Sequence, residues 1–226
     1  MMNLRGGQEM KKIIDFSQSY REKMPHVPAF AGPRIKTILA AEKDIANVME
    51  ITFTTHTGTH LDAPLHLFKK GKTIDEIKID RLIGTGVILD LSRKKKCEPI
   101  TANDLKQAKP IIQRGDILLV YTGWGKKISS EEYHDHPYFS EDAAEWLIKK
   151  RVNILGTDTL TPDKPYCLRE TGFNMPIHRM LLSKEILIIE NLMNLEKAKG
   201  KRLEVMVIPI KIEKGDGAPA RVFGRI

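Results

Sequence analysis

Short apolar runs alternate with polar segments that carry helix-start signals, and this pattern predicts an α/β fold rather than a helical bundle. Two further observations bound that expectation. The 226 residues, 41% hydrophobic and 29% charged, suit one globular domain over residues 1–226 that buries a core without disulfide support. No apolar run approaches the roughly 20 residues needed to span a bilayer, so a soluble chain with no membrane partner is expected.

Taken in order, apolar runs predict strands over Lys12–Phe16, Arg34–Ala40 and Asn47–Thr54, followed by Gly86–Leu91 and Asp116–Tyr121. Further strands are expected over Asn153–Gly156, Ile186–Glu190 and Leu203–Ile212. Helix starts punctuate them. Thr73 with Glu76 three residues on reads as a capping box, and Thr101 precedes a polar helix. Ser140 precedes EDAAEWLIKKR, whose acids come early and bases late, in the sense that the helix dipole favours. Gly and Pro concentrate in Pro25–Pro33 and Gly215–Pro219, which read as loops within the domain because neither is long or uniform enough for a linker.

Lys and Arg number 37 against 29 Asp and Glu, a formal net charge of +8. Basic excess is one mark of a nucleic-acid binder. Here the basic runs Arg93–Lys96 and Lys197–Arg202 lack interleaved aromatics, so they read as solvated loops and no nucleic-acid partner is expected. Cys97 and Cys167 form no CxxC pair, and the opening MMNLRGGQEMKK lacks an apolar core for secretion. Both features point to the cytoplasm and to no disulfide.

The chemistry concentrates in TTHTGTHLDAPLHLF, residues 54–68, where His56, His60, Asp62 and His66 fall within eleven positions of a chain holding seven histidines. Isolated histidines such as His26, His134 and His136 are ordinary core or surface residues by comparison. Threonines, Gly58 and Pro64 oppose a helix here, which excludes the helical HExxH type of zinc site. In an extended chain the even positions face one way. Full extension would nonetheless leave His56 and His60 about 13 Å apart at ~3.3 Å per residue, whereas both rings must end about 2.0–2.1 Å from one zinc. The chain is therefore expected to bend, with Gly58 and Pro64 marking a strand that runs into a curled loop. Two histidines and a carboxylate suit zinc or manganese, and a carboxylate can bridge a second ion.

HTGTHLDAPLH resembles the HxGTHxDxPxH signature of the cyclase-like metal-dependent hydrolases, the kynurenine formamidase and isatin hydrolase type. The likeness extends to YTGW at Tyr121–Trp124, GTDTLTPD at Gly156–Asp163, HRMLLSKEILIIENL at His178–Leu192 and the closing DGAPARVFGRI. It implies a compact β/β/α swivelling-type domain, a mixed barrel-like sheet layered with helices, assembled as a homodimer or homotetramer. Within that resemblance His56, His60 and Asp62 are ligands of a first ion, and Asp62 bridges to a second held by His178 and Glu190. His66 is the catalytic histidine. Glu190 has independent support, because a carboxylate ending the apolar run ILIIE is costly to desolvate unless it is paired or metal-bound; a charged cap on a strand end is the alternative.

The resemblance further implies two divalent ions, zinc or alternatively manganese, and hydrolysis of a formamide or amide C–N bond by a metal-bound hydroxide. The leading substrate is N-formylkynurenine, giving kynurenine and formate; an isatin-like cyclic amide is the alternative, and a non-catalytic metal-binding module the bland one. An N-formylaniline calls for an aromatic wall, for which Phe30 and Trp124 are the candidates. Asp158 and Asp163 read as turn-capping acids outside the site, and both cysteines as incidental.

Overall fold

A computed structural model of the chain describes residues 12–27 and 30–226. Twelve strands and three α-helices follow one another along it. The strands are β1 (Ile13–Asp15), β2 (Arg34–Leu39), β3 (Val48–Thr52), β4 (His60–Asp62), β5 (Ile83–Asp90) and β6 (Pro99–Ile100). They continue as β7 (Ile117–Tyr121), β8 (Tyr138–Phe139), β9 (Ile154–Thr157), β10 (Leu187–Glu190), β11 (Arg202–Pro209) and β12 (Gly217–Arg225). The helices are α1 (Ala102–Gln107), α2 (Glu141–Lys150) and α3 (Pro176–Leu182).

The main sheet runs β1-β12-β11-β5-β7-β9-β10-β4, and β4 also pairs with β12, so every strand of it except β1 belongs to a closed ring. Strands β5, β7, β9 and β10 are mutually parallel, while β4, β11 and β12 pair antiparallel. This is the mixed barrel-like sheet that the resemblance implies. Strand alternation divides its side chains between two cores. Ile88, Ile117, Leu119, Ile154, Leu187 and Ile189 join one apolar cluster with Leu61, Val205 and Val222. Their neighbours Val87, Leu89, Leu118, Val120, Leu155 and Ile188 join a second cluster with Leu105 of α1, Leu147 of α2 and Leu181 of α3. The parallel half of the ring is thus covered by helices, and the other cluster fills its remaining face.

Most predicted strands recur with shifts at their ends. The largest omission is β12, whose first residues fall in the Gly215–Pro219 segment read as a loop. Glycine and proline signal a break in a central strand, but Pro219 stands near the start of β12, opposite His60 of β4. The other correction concerns Thr73: its N–H donates to the Glu76 carboxylate at 2.9 Å as a capping box predicts, yet only a single 3-10 turn, Ile74–Glu76, follows. Thr101 caps α1 as expected, its side chain accepting the Asp104 N–H. Ser140 likewise precedes α2.

Candidate metal centre

Three segments meet at one end of the cavity described below. Gly58 takes φ of +65°, the bend the sequence requires, and turns the chain so that His56 precedes β4 while His60 and Asp62 lie on it. Pro64 then ends the strand and opens the 3-10 turn Pro64–His66, which carries His66. In the antiparallel register of β4 and β10, Glu190 stands directly opposite His60. His178 arrives from the first turn of α3, behind Pro176.

The ligand atoms gather into two overlapping triads. His56, His60 and Asp62 offer donor atoms within 4.8 Å of one another, and so do Asp62, His178 and Glu190. Asp62 belongs to both, as a bridging carboxylate would. His56 Nδ1 lies 2.7 Å and His60 Nε2 3.3 Å from Asp62 Oδ1, whereas His178 Nε2 lies 3.3 Å from Asp62 Oδ2 and 3.1 Å from Glu190 Oε1. All five predicted ligands are brought together.

Burial gives this cluster its meaning. His60, Asp62 and His178 are each 1% exposed, and His60 Nε2, Asp62 Oδ2 and Glu190 Oε1 are buried without a hydrogen-bond partner. Such orphaned atoms are costly unless something else satisfies them, and a divalent cation would do so for all three. The remaining ring nitrogens are anchored. His60 Nδ1 lies 2.8 Å from the Gly58 carbonyl, and His178 Nδ1 2.5 Å from Asp163 Oδ2, the outer partners that fix tautomer and ring direction in metal-ligating histidines. The donor set of imidazoles and carboxylates therefore fits a divalent ion.

Charge is consistent with that fit. Burial opposes protonation of His56, but hydrogen bonds with Asp216 and Asp62 prevail and lift it to about 10. Burial likewise opposes the charged form of His178, and its carboxylate neighbours Asp163, Asp62 and Glu190 hold it well above its usual range. Four carboxylates, Asp62, Asp163, Glu190 and Asp216, thus surround these rings and favour positive charge in the site.

His66 lies beside both triads, its ring centroid 3.9 Å from that of His56 and 5.9 Å from that of His178. Its Nδ1 is 3.7 Å from Asp216 Oδ2, which also lies 2.9 Å from His56 Nε2. The His56 hydrogen bond, followed by the nearby His66 ring, holds the Asp216 carboxyl far below the usual range, so it remains an anion.

A cavity of about 140 Å³ opens above these groups, lined by His56, Asp62, His66, His178 and Glu190 on one side and by Val27, Phe30, Leu160, Thr161, Tyr166, Arg169 and Met175 on the other. Phe30, one of the two aromatic candidates, lines this cavity. Trp124 does not. Gly123, with φ of 85°, turns the chain after β7 so that Trp124 packs with Ile128, Tyr133 and Leu160, 5% exposed, its Nε1 donating to the Glu132 carbonyl. The tryptophan is core, one layer away from the cavity at Leu160. A broader, shallower depression lined by Arg81, Arg114, Arg151 and Glu185 gathers no comparable donor set among the described residues.

Comparison with known proteins agrees with this geometry. The putative cyclase family profile matches residues 14–164. A kynurenine formamidase of Geobacillus thermodenitrificans is 31% identical over 215 residues, covering 94% of this chain and 96% of the relative. The chain belongs to the cyclase family. A second family relative, a kynurenine formamidase of Erythrobacter litoralis, is 30% identical over 95% of this chain and 94% of its own. A solved structure described as a potential metal-dependent hydrolase with cyclase activity superposes with a TM-score of 0.78 at 29% identity, over 95% of this chain and 98% of that one. Isatin hydrolase A from Labrenzia aggregata shares the fold, with a TM-score of 0.87 at 23% identity over 96% of this chain and 94% of that one.

Several contributors to this cyclase-family site escape a reading of sequence. Asp163, taken there as a turn cap, accepts the backbone N–H groups of Ile177 and His178 and orients the His178 ring. Asp216 lies 160 residues from His56 along the chain. Tyr166 and Arg169 carry no local signal at all. Asp158 is a structural acid as expected, accepting from the Thr122 hydroxyl and N–H and from the Gly123 N–H.

Proposed function

We propose that the protein is a metal-dependent hydrolase of non-peptide C–N bonds, with an arylformamide, N-formylkynurenine, as substrate and kynurenine and formate as products. The observation that carries this reading is the pair of donor triads sharing Asp62 at the floor of a cavity whose opposite wall is aromatic and cationic. His56, His60 and Asp62 would hold one divalent ion, and Asp62, His178 and Glu190 a second; zinc suits this set and manganese is the alternative. When bound, such ions polarise a carbonyl and acidify a water near neutral pH.

The chain's own residues supply the rest. His66 stands at the cavity surface beside both triads, where it carries a proton to the nitrogen that departs as the C–N bond breaks. Asp216, held as an anion, faces His66 Nδ1 at 3.7 Å and helps set the direction of the ring. Phe30 and Tyr166 form the aromatic wall. Arg169 is ordered in advance, its guanidinium 3.9 Å from the Tyr166 ring centroid and 4.6 Å from that of Phe173, with Nε donating to the Lys164 carbonyl. A guanidinium fixed there suits the carboxylate of an amino-acid side arm. Leu160 and Met175 exclude water from the remainder.

The decisive experiment is metal analysis of the purified protein with hydrolysis assays on N-formylkynurenine, isatin and simple cyclic amides, before and after chelation. We expect N-formylkynurenine to be cleaved fastest and all activity to vanish with the metal. Turnover that survives complete metal removal would refute the reading, and preference for isatin would replace the formamide by a cyclic amide.

No helix among the described residues is long and apolar enough to cross a membrane, and we place the enzyme in the cytoplasm. We further place it in a homodimer or homotetramer. Support comes from the β2–β3 ribbon, a two-stranded sheet of its own whose Ile38, Val48, Met49 and Ile51 are exposed. Met49→Lys with Ile51→Lys should shift the protein toward monomer in light scattering; an unchanged mass would remove the ribbon from the interface.

A further inference from the structure

Cys97 and Cys167 play no part in the metal centre and read as incidental in sequence, yet the fold places them together. Their Sγ atoms are 3.2 Å apart although 70 residues separate them in the chain, and both are free thiols. Cys97 is fixed in the turn between β5 and β6: its backbone is left-handed, with φ of 55°, and its N–H donates to the Asp135 carbonyl at 2.9 Å. Cys167 sits exposed at the centre of the 3-10 turn Tyr166–Leu168. That turn carries Tyr166, and Arg169 follows it, so Cys167 lies between two residues of the cavity wall. One thiol thus belongs to the rigid body of the fold and the other to the substrate-facing wall.

We propose that Cys97 and Cys167 are an oxidation site, closed to a disulfide by low-molecular-weight disulfides of the glutathione type, and that this bond pins the cavity wall. The exchange balances without a further reagent. The Cys97 thiolate attacks one sulfur of RS–SR and releases RS⁻, which takes up a proton as RSH. Cys167 then gives up its proton and displaces the second RS⁻ from the mixed disulfide, forming the intramolecular S–S bond and a second RSH. Two cysteine thiols are oxidised and one small disulfide is reduced to two thiols. Closure brings the sulfurs from 3.2 Å to about 2.05 Å, a movement the exposed turn can accommodate. Burial, followed by the neighbouring Cys97 and Asp135, pushes the Cys167 thiol up to about 11, so it rests protonated at neutral pH until a mixed disulfide stands beside it.

The kinetic consequence rests on reading the cavity as the substrate site, whereas formation of the bond does not. The test incubates the full chain with glutathione disulfide and maps peptides by mass spectrometry without reduction. A Cys97–Cys167 cross-linked peptide is expected, absent from Cys97→Ser, with a rise of roughly 5–10 °C in Tm that dithiothreitol reverses. KM for N-formylkynurenine should shift several-fold on oxidation while kcat holds, and Cys97→Ser should show neither response. Glutathione adducts on single cysteines with no cross-link would overturn the proposal. So would one equivalent of zinc held by the pair, lost in Cys97→Ser and protecting both thiols from exchange, because the cluster with Asp135 would then be a metal site. A cross-link that leaves KM unmoved would overturn the link to the wall. If N-formylkynurenine is not turned over at all, the formamidase reading fails while the cross-link and the Tm shift still decide the oxidation site.

Discussion

The two donor triads of the candidate metal centre are built differently. His56, His60 and Asp62 come from seven consecutive residues and are arranged by local geometry, a left-handed Gly58 and a short strand. His178 and Glu190 come from α3 and β10, and they reach the same carboxylate only because the ring of strands closes. The local half depends on backbone dihedrals; the remote half depends on register. A one-residue slip of β10 against β4 would turn Glu190 to the opposite face, so the strongly buried ILIIE run indirectly sets the ligand geometry.

Substitutions separate the halves. Asp62→Asn strikes both and should cost roughly a thousandfold or more in kcat/KM along with all bound metal, measured by steady-state assay and elemental analysis. His60→Ala and His178→Ala each strike one half, and each should reduce stoichiometry from two ions to one; loss of both ions from either variant would mean that the halves load only together. Asp163→Asn leaves every ligand in place and removes the partner of His178 Nδ1, for a loss of about 10–100-fold in metal affinity or activity. Gly217→Ala probes the local half from its partner strand, because a Cβ there would meet His56 Cε1 at 2.8 Å and the Leu61 carbonyl at 2.9 Å. We expect it to weaken metal binding about tenfold through His56 displacement, consistent with the lower end of orienting effects. Smallest of all, Arg169→Met should raise KM about tenfold with kcat unchanged, equivalent to ~1.4 kcal/mol of lost ground-state binding. Trp124→Phe should leave KM alone.

The same division explains what the sequence discloses. The local half is legible because chemistry and spacing coincide within residues 54–68, and Gly58 and Pro64 mark where the chain must bend. The remote half is legible only through Glu190, whose carboxylate ends an apolar run, and there a charged strand cap competes with a ligand as the explanation. His178 opens an ordinary apolar helix, and its place rests on family resemblance. Asp163 and Asp216 show the limit more sharply: each sits among turn-forming residues, where a local capping role accounts for an acid equally well. Strands with alternating or continuous apolar runs are apparent, whereas β12 hides behind Gly217 and Pro219 and β4 has only three residues, too few for periodicity to register. Trp124 errs in the opposite direction, an aromatic beside a strand end that packs inward.

Because β4 is so short, it joins its neighbours through three residue pairs on each side: to β10 at Asp62, Leu61 and His60, and to β12 at the same positions. This is the seam at which the sheet becomes a ring, and two of its three residues, His60 and Asp62, belong to the donor triads. A cation bound there would rivet the seam, tying β4 to β10 through Glu190, so cofactor loading would reinforce the closure that strand pairing already makes. Chelation should then speed amide hydrogen exchange at Leu61 and Ala218 while β5 and β7, on the far side of the ring, keep their protection.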